Sequence, residues 1–159
     1  MAAEAGFRVG RAGAPDLEDF LRLRIALFSE AGQARPSFDW SELEPRTRAV
    51  YLRGLEDDSL LVWMARAETG EAVGVIALYP LARLPTPLCP SGTEGYVVNV
   101  FTLPAWRRRG VGTALMRALI DEARTRKLGR LRLHTTAAGR TLYARCGFVE
   151  HADNLQLVL

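Results

Sequence analysis

The sequence predicts a mixed α/β (α+β) fold in which helices pack around one central β-sheet. Apolar residues recur at helical spacing near the N-terminus, and β-rich apolar runs fill the middle of the chain. From Glu94 to Thr135 a strand, an amphipathic helix and a second strand follow one another, which predicts two parallel neighbouring strands joined by a right-handed crossover. The length of 159 residues suits one domain, which we place at residues 3–159.

The first third of the chain predicts one strand and two helices. A short strand is predicted over Phe7–Ala12, after which Pro15 and Asp16 provide a turn and an N-cap. Helical spacing of apolar residues predicts a helix over Asp16–Glu30, ended by the glycine and proline of AGQARPSF. A second helix is predicted from about Ser41 to Leu55.

The middle of the chain predicts three strands and a helix. In SLLVWMARAETGEAVGVIALYP two β-rich runs flank Glu68–Glu71, a pattern typical of a hairpin. A proline-rich loop, Leu84–Gly92, separates them from EGYVVNVFTLP, a third apolar run that begins at Glu94. An amphipathic helix is predicted from about Val111 to Lys127.

The C-terminal part predicts further strands and one short helix. GRLRLHT alternates apolar and polar residues and predicts a strand over residues 129–135. A short helix over Arg140–Cys146 stops at Gly147, and Phe148–Val149 and LQLVL (residues 155–159) predict two final strands. The whole sheet would then contain six to seven strands, with about four helices.

Composition narrows the function classes. The net charge of +3 is modest and no aromatic stacking platform is visible, so we expect no nucleic-acid partner. Cys89 and Cys146 have no zinc-like spacing and indicate no disulfide framework, which predicts no metal and fits a reducing cytoplasm. No membrane-spanning run or signal-peptide pattern is present, so we expect a cytoplasmic protein that does not associate with membranes.

The stretch AWRRRGVGTALM begins a helix with three arginines and two glycines, although a helix N-terminus favours acidic residues. Glycines let backbone amides approach a ligand closely, and the first amides of a helix lack intrahelical partners, so the stretch is consistent with an anion site. A solvated basic turn explains the same residues. The stretch lacks the Lys–Ser/Thr of a P-loop, and Leu115 stands where a dinucleotide fingerprint needs its third glycine.

VFTLPAWRRRGVGTALM resembles the coenzyme A-binding signature of the GNAT superfamily of N-acetyltransferases. That signature is a strand, a proline, an aromatic residue and then [Q/R]-x-x-G-x-[G/A] entering a helix. The matching residues are Thr102, Pro104, Trp106, Arg107, Gly110 and Gly112. A second signature of the family, x-L-Y-x-x-x-G-F, reads TLYARCGF over Thr141–Phe148. The resemblance is strong from Glu94 to Phe148.

The resemblance implies a twisted mixed sheet with a splayed parallel strand pair in its centre, and acetyl-CoA as co-substrate. It implies that the amides from Arg108 to Thr113 hold the pyrophosphate, and that a bulged strand pairs its backbone with the pantetheine arm. The coenzyme A-binding residues expected on this basis are Val100, Phe101, Thr102, Arg107, Arg108, Arg109, Gly110, Val111, Gly112, Thr113 and Tyr143. Thr136 stands where many members carry an asparagine that holds the pantetheine, and Arg140 is a candidate for the 3′-phosphate.

Acyl transfer to an amine needs a base, a donor to the thioester oxygen and a proton for the leaving thiolate. The resemblance places Tyr143 near the coenzyme A sulfur as the proton donor; a tyrosine that only packs its short helix is the alternative. An amide of Phe101 or Thr102 would serve the thioester oxygen.

The sequence does not single out the base. The candidates are Glu94, Asn99 (to position water or substrate) and His134. Each has a plain structural alternative: a solvated carboxylate, a buried amide paired with backbone, and an exposed histidine, respectively.

The expected function is transfer of the acetyl group of acetyl-CoA onto a primary amine by direct attack. The resemblance implies that AGQARPSFDW and YPLARLPTPLCPSG shape the acceptor side. Both contain few acidic residues, whereas a polycationic acceptor such as an aminoglycoside would need more carboxylates there. The expected acceptor is therefore a small amine or a peptide or protein amine. The alternative is a non-catalytic coenzyme A-binding or regulatory module on the same fold. A homodimer is compatible with the sequence.

Overall fold

The computed structural model describes residues 6–31, 39–151 and 157–158. These residues form five strands and four helices. In chain order they are β1 (Phe7–Arg11), α1 (Leu17–Glu30), α2 (Trp40–Glu56), β2 (Leu61–Ala67), β3 (Ala72–Ala82), β4 (Thr93–Thr102), α3 (Val111–Thr125), β5 (Arg130–Leu133) and α4 (Arg140–Arg145). Single 3-10 turns precede α1, α3 and α4.

The strands lie in one mixed sheet, which confirms the predicted fold class. The order is β1-β2-β3-β4-β5, with antiparallel pairing from β1 to β4 and parallel pairing of β4 with β5. Helix α3 forms the predicted crossover between the parallel pair.

The sheet separates two apolar clusters, because successive side chains of a strand point to opposite faces. On one face Val62 and Met64 of β2 pack with residues of α1 and α2. On the other face Leu61 and Trp63 pack with α3. Helices α1 and α2 therefore bury apolar side chains on one side of the sheet, and α3 buries its apolar stripe on the other.

The predicted count of six to seven strands is corrected to five within the described residues. Phe148–Val149 forms no strand, and neither do Leu157 and Val158; residues 155, 156 and 159 lie outside the described residues. Val149, Leu157 and Val158 are 86%, 83% and 80% exposed, so strand pairing at these residues would not be stabilised by burial of their side chains.

The parallel pair lies at one edge of the described sheet and not in its centre, because no described strand follows β5. Residues 32–38, the greater part of AGQARPSFDW, also fall outside the described residues.

Strand β4 contains a bulge that shapes the site. Val98 pairs with Ala77 and Phe101 with Val75, so two residues of β4, Asn99 and Val100, oppose one residue of β3. Asn99 has a φ of +55°, a left-handed conformation that asparagine tolerates better than most residues. The bulge that the family resemblance implies is therefore present.

Candidate active site

Strands β4 and β5 separate where the bulge begins. Their ladder covers Glu94–Val97 opposite Arg130–Leu133, while β4 continues to Thr102. The β5-facing edge of β4 beyond Val97 thus offers backbone N–H and C=O groups to an added extended ligand. Val100, Phe101 and Thr102, the residues expected to pair with pantetheine, lie along this edge.

The loop after β4 leads directly into α3. Gly110 is the N-cap with a φ of +85°, and Arg108 also has a positive φ of +60°. Helix α3 has no side-chain cap and no acidic residue in its first turn. The first amides of the helix, at Val111, Gly112 and Thr113, are thus arranged for an external anion.

Two of the three arginines of this loop are engaged with the protein. Arg107 donates through Nε to the Thr102 carbonyl oxygen at 3.0 Å and through Nη2 to the Glu30 carboxylate at 2.6 Å. Arg109 stacks on Trp106, with 4.9 Å from the guanidinium carbon to the ring centroid. Arg107 therefore connects the end of β4 to α1, a role that the sequence did not indicate.

The two sequence signatures meet in the fold. A Cβ on Gly112 would lie 3.1 Å from Cδ2 of Leu142, the neighbour of Tyr143 on α4. The Tyr143 ring packs edge-on against Phe148 with 6.0 Å between centroids, and a Cβ on Gly139 would lie 2.6 Å from its Cε2. Burial raises the pKa of Tyr143 above its usual value, so the hydroxyl keeps its proton at neutral pH.

The remaining predicted binding residues lie around α4. Thr136 accepts a hydrogen bond on its carbonyl oxygen from the Thr135 hydroxyl at 2.7 Å. Arg140 is exposed at the start of α4 and forms an ion pair with Glu150.

Glu94 is buried and held by arginines. Its carboxylate lies 2.7 Å from Nε of Arg130, 3.0 Å from Nε of Arg83 and 3.9 Å from Nη1 of Arg132. Only 3% of its side chain is exposed. It is not the solvated strand-end carboxylate considered from the sequence, and both of its oxygens are occupied by ion pairs.

We expect Glu94→Gln to lower the free energy of unfolding by about 1–3 kcal/mol. The change leaves guanidinium groups beside an uncharged amide, and their partial exposure keeps the loss below that of a fully buried pair. Urea unfolding measures the effect. Asp121→Asn is the matched control because its ion pair with Arg124 is largely exposed. An equal effect of the two changes would contradict the interpretation.

Asn99 lies on the sheet face covered by α1 and α2. It is 7% exposed, and its Oδ1 accepts a hydrogen bond from Nη1 of Arg24 at 2.7 Å. Its partner is thus a side chain and not the backbone. Burial lowers the pKa of Arg24, although a guanidinium stays charged at neutral pH.

Arg24 was missed by the sequence reasoning. It falls between Phe20 and Leu27 on the apolar stripe of α1, and a cation within such a stripe is the signal that could have found it.

His134 and Tyr96 form a pair at the mouth of the separation between β4 and β5. The Tyr96 hydroxyl is hydrogen-bonded to Nδ1 of His134, and their rings meet edge-on with centroids 5.7 Å apart. Tyr96 is also the register partner of Tyr79 on β3. His134 is exposed, as the sequence pattern allowed, but the hydrogen bond fixes its ring.

The described part of the chain contains neither a metal-ligand cluster nor a membrane-spanning helix. Within residues 6–31, 39–151 and 157–158 no group of three His, Cys, Asp or Glu side chains is placed to hold a metal ion. The same residues contain no helix with the length and hydropathy needed to cross a bilayer.

Comparison with known proteins identifies the family. Residues 19–148 match the family model described as the Acetyltransferase (GNAT) family. The chain belongs to the GNAT acetyltransferase family. This membership and the relatives below make it an acetyl-CoA-dependent N-acetyltransferase, and the predicted resemblance is confirmed.

The relatives of this GNAT acetyltransferase include one curated enzyme and many solved structures. Glucosamine 6-phosphate N-acetyltransferase 1 of Oryza sativa subsp. japonica is 32% identical over 144 residues, covering 91% of this chain and 82% of the relative. A GCN5-related N-acetyltransferase from Ralstonia eutropha JMP134 is 30% identical with a TM-score of 0.84, covering 96% of this chain and 99% of that one. A predicted acetyltransferase from Clostridium acetobutylicum, solved with acetyl-CoA, shares the fold with a TM-score of 0.85, 23% identity and 96% coverage of both chains.

Proposed function

We propose that this acetyltransferase moves the acetyl group of acetyl-CoA onto the primary amine of a small molecule by direct attack. The observation that carries the proposal is the bulge at Asn99 and Val100, where β4 leaves β5. The free edge of β4 lies on one side of this bulge, and a cavity under α1 and α2 lies on the other. Cofactor and acceptor can therefore approach the same few residues.

In this proposal different parts of the chain bind different parts of acetyl-CoA. The first amides of α3 bind the pyrophosphate, and the edge of β4 from Val100 to Thr102 binds the pantetheine. A backbone amide of Phe101 or Thr102 donates to the thioester oxygen as it gains charge. No metal is needed, because an uncharged amine attacks a thioester directly.

Two proton transfers accompany the reaction: one from the amine to His134 and one from Tyr143 to the leaving sulfur. The amine nitrogen forms a bond to the thioester carbon and loses a proton to Nδ1 of His134, relayed through the hydroxyl of Tyr96. The carbon–sulfur bond then breaks, and the leaving sulfur takes a proton from Tyr143. The cycle closes when Tyr143 takes a proton from solvent and His134 releases its proton to solvent. Glu94 is not chosen as the base, since arginines occupy both of its oxygens.

The acceptor proposed is a small amine. The cavity beside Asn99 measures about 180 Å³, which suits a compact group. Glucosamine 6-phosphate is the first compound to test because the rice relative is named for it. A peptide amine is the second acceptor class, and acetylation of a peptide but not of small amines would replace the proposed class.

We expect acetyl-CoA to raise the melting temperature in a saturable manner. Stabilisation by a ligand follows its concentration relative to Kd and reaches about 2.7 kcal/mol at 100 times Kd. Thermal-shift titration measures binding, and thiol release with a panel of amines measures transfer. A folded protein that acetyl-CoA does not stabilise would refute the proposal. Binding without thiol release for any small or peptide amine would favour the non-catalytic alternative.

A further inference from the structure

The cavity under α1 and α2 is lined by two groups that carry nitrogen donors, by apolar side chains and by the hydroxyl-bearing residues Thr47, Tyr51 and Tyr79. Apolar surface comes from Phe20 of α1, Leu60 just before β2, Ala77 of β3 and Val98 of β4. The guanidinium of Arg24 and the side-chain amide of Asn99 also line it. None of the described residues that line the cavity is Asp or Glu.

The orientation of the Asn99 amide follows from its partner. A guanidinium only donates hydrogen bonds, so the atom that faces Arg24 must be Oδ1. The other atom of the amide, Nδ2, is then a donor, and it is buried without a hydrogen-bond partner among the described residues. Buried donors without partners are rare because their desolvation is uncompensated.

Both members of the donor pair are held in place. Asn99 lies in the bulge, accepts a hydrogen bond from Arg24 and lines the cavity. The Arg24 guanidinium stacks on Phe28 with 4.7 Å from its central carbon to the ring centroid. Together the two groups bring one positive charge and one unpartnered donor to the cavity.

We propose that this cavity binds the acidic group of the acceptor, a carboxylate or a phosphate, so that the substrate is an amine bearing an anionic group. An anionic oxygen would accept a hydrogen bond from Nδ2 and pair with the Arg24 charge. An ammonium group would meet like charge there and no carboxylate, so the amine points away from Arg24. Asn99 belongs to the bulge, and the amine of a compound anchored there lies near the edge where the thioester is proposed to bind. This inference rests on the proposed function.

The test uses matched acceptors that differ in one anionic group. Glucosamine 6-phosphate is compared with glucosamine, and L-leucine with L-leucinamide, so that the two arms separate phosphate from carboxylate. In one of the two pairs we expect the compound that carries the phosphate or carboxylate to have a kcat/KM at least tenfold above that of its partner without this group. No preference in either arm, or a preference for the neutral members, would overturn the inference.

The variants Asn99→Asp and Arg24→Gln test the two donors separately. Asn99→Asp keeps the shape and suits the left-handed backbone but replaces Nδ2 by an anionic oxygen. We expect each variant to lower kcat/KM for the preferred anionic acceptor by tenfold or more and for its neutral partner by less than threefold. Arg53→Gln, the same change at an exposed position of α2, is the control. Equal losses on both members of a pair would show a structural role only.

Binding to acetyl-CoA separates this inference from the proposed function. If acetyl-CoA fails to stabilise the protein, the proposed function falls. If acetyl-CoA binds but none of the four amines is acetylated, each is titrated into coenzyme A-saturated protein by calorimetry. Saturable binding of an anionic member that Asn99→Asp abolishes supports the inference, and its absence overturns it.

Discussion

Gly112→Asp is expected to abolish binding of acetyl-CoA while the protein stays folded. The new carboxylate would stand in the first turn of α3, where the amides are arranged for an anion, and would repel the pyrophosphate. Its Cβ would lie 3.1 Å from Cδ2 of Leu142, a contact that a small shift of this flexible side chain relieves. Isothermal calorimetry should show at least a hundredfold loss of affinity, with circular dichroism close to that of the wild type.

Two further variants separate charge from shape at this position. Gly112→Asn has nearly the same volume as Gly112→Asp without the charge, and we expect it to retain measurable binding. Gly10→Asp adds the same carboxylate to β1, where no described residue other than the chain neighbours comes within 4 Å of the new Cβ, and it should bind acetyl-CoA normally. Unimpaired binding by Gly112→Asp would count against the pyrophosphate site.

Tyr143→Phe is expected to lower kcat by 10²- to 10⁴-fold, the range typical of a lost general acid. The ring remains and keeps its edge-on contact with Phe148, so acetyl-CoA affinity should change by less than threefold. Steady-state thiol release gives kcat, and calorimetry gives the affinity. A kcat within threefold of the wild type would leave Tyr143 as a packing residue only.

The pH profile offers a second check on Tyr143. Burial raises its pKa above the usual value of about 10, so the proton-donating form persists through neutral and mildly alkaline pH. We expect no fall in the wild-type kcat below about pH 10 from loss of this proton. A descending limb near pH 8 that Tyr143→Phe removes would contradict the assignment.

The elements that the sequence predicts well are those whose apolar pattern matches a buried face. Helix α3 and the alternation of β5 follow directly from their spacing, and the parallel pairing of β4 with β5 follows from the order strand, helix, strand. Phe148–Val149 has the composition of a strand but forms none, because pairing requires a neighbouring strand that a local pattern cannot reveal.

The candidate site also contains some features that follow from local sequence spacing and others that do not. The glycines of the α3 loop and TLYARCGF have local spacing, so the sequence alone could single out this loop and Tyr143 as candidates, and their roles stay predictions. The contacts of Arg24 with Asn99 and of Glu94 with Arg83 join residues distant in the chain. They depend on register and on the bulge, and no periodicity of the sequence encodes them.

The ion pair between Arg107 and Glu30 bears on the spacing between the α3 loop and the cavity beside Asn99. Glu30 and Arg24 lie on the same helix six positions apart, an axial rise of about 9 Å. One is attached to the loop that is proposed to bind the cofactor, and the other to the bulge beside the acceptor cavity. If the loop binds acetyl-CoA and the cavity binds the acceptor as proposed, this stretch of α-helix holds the two at a set spacing. A residue inserted into α1 between Arg24 and Glu30 would then change which acceptors fit.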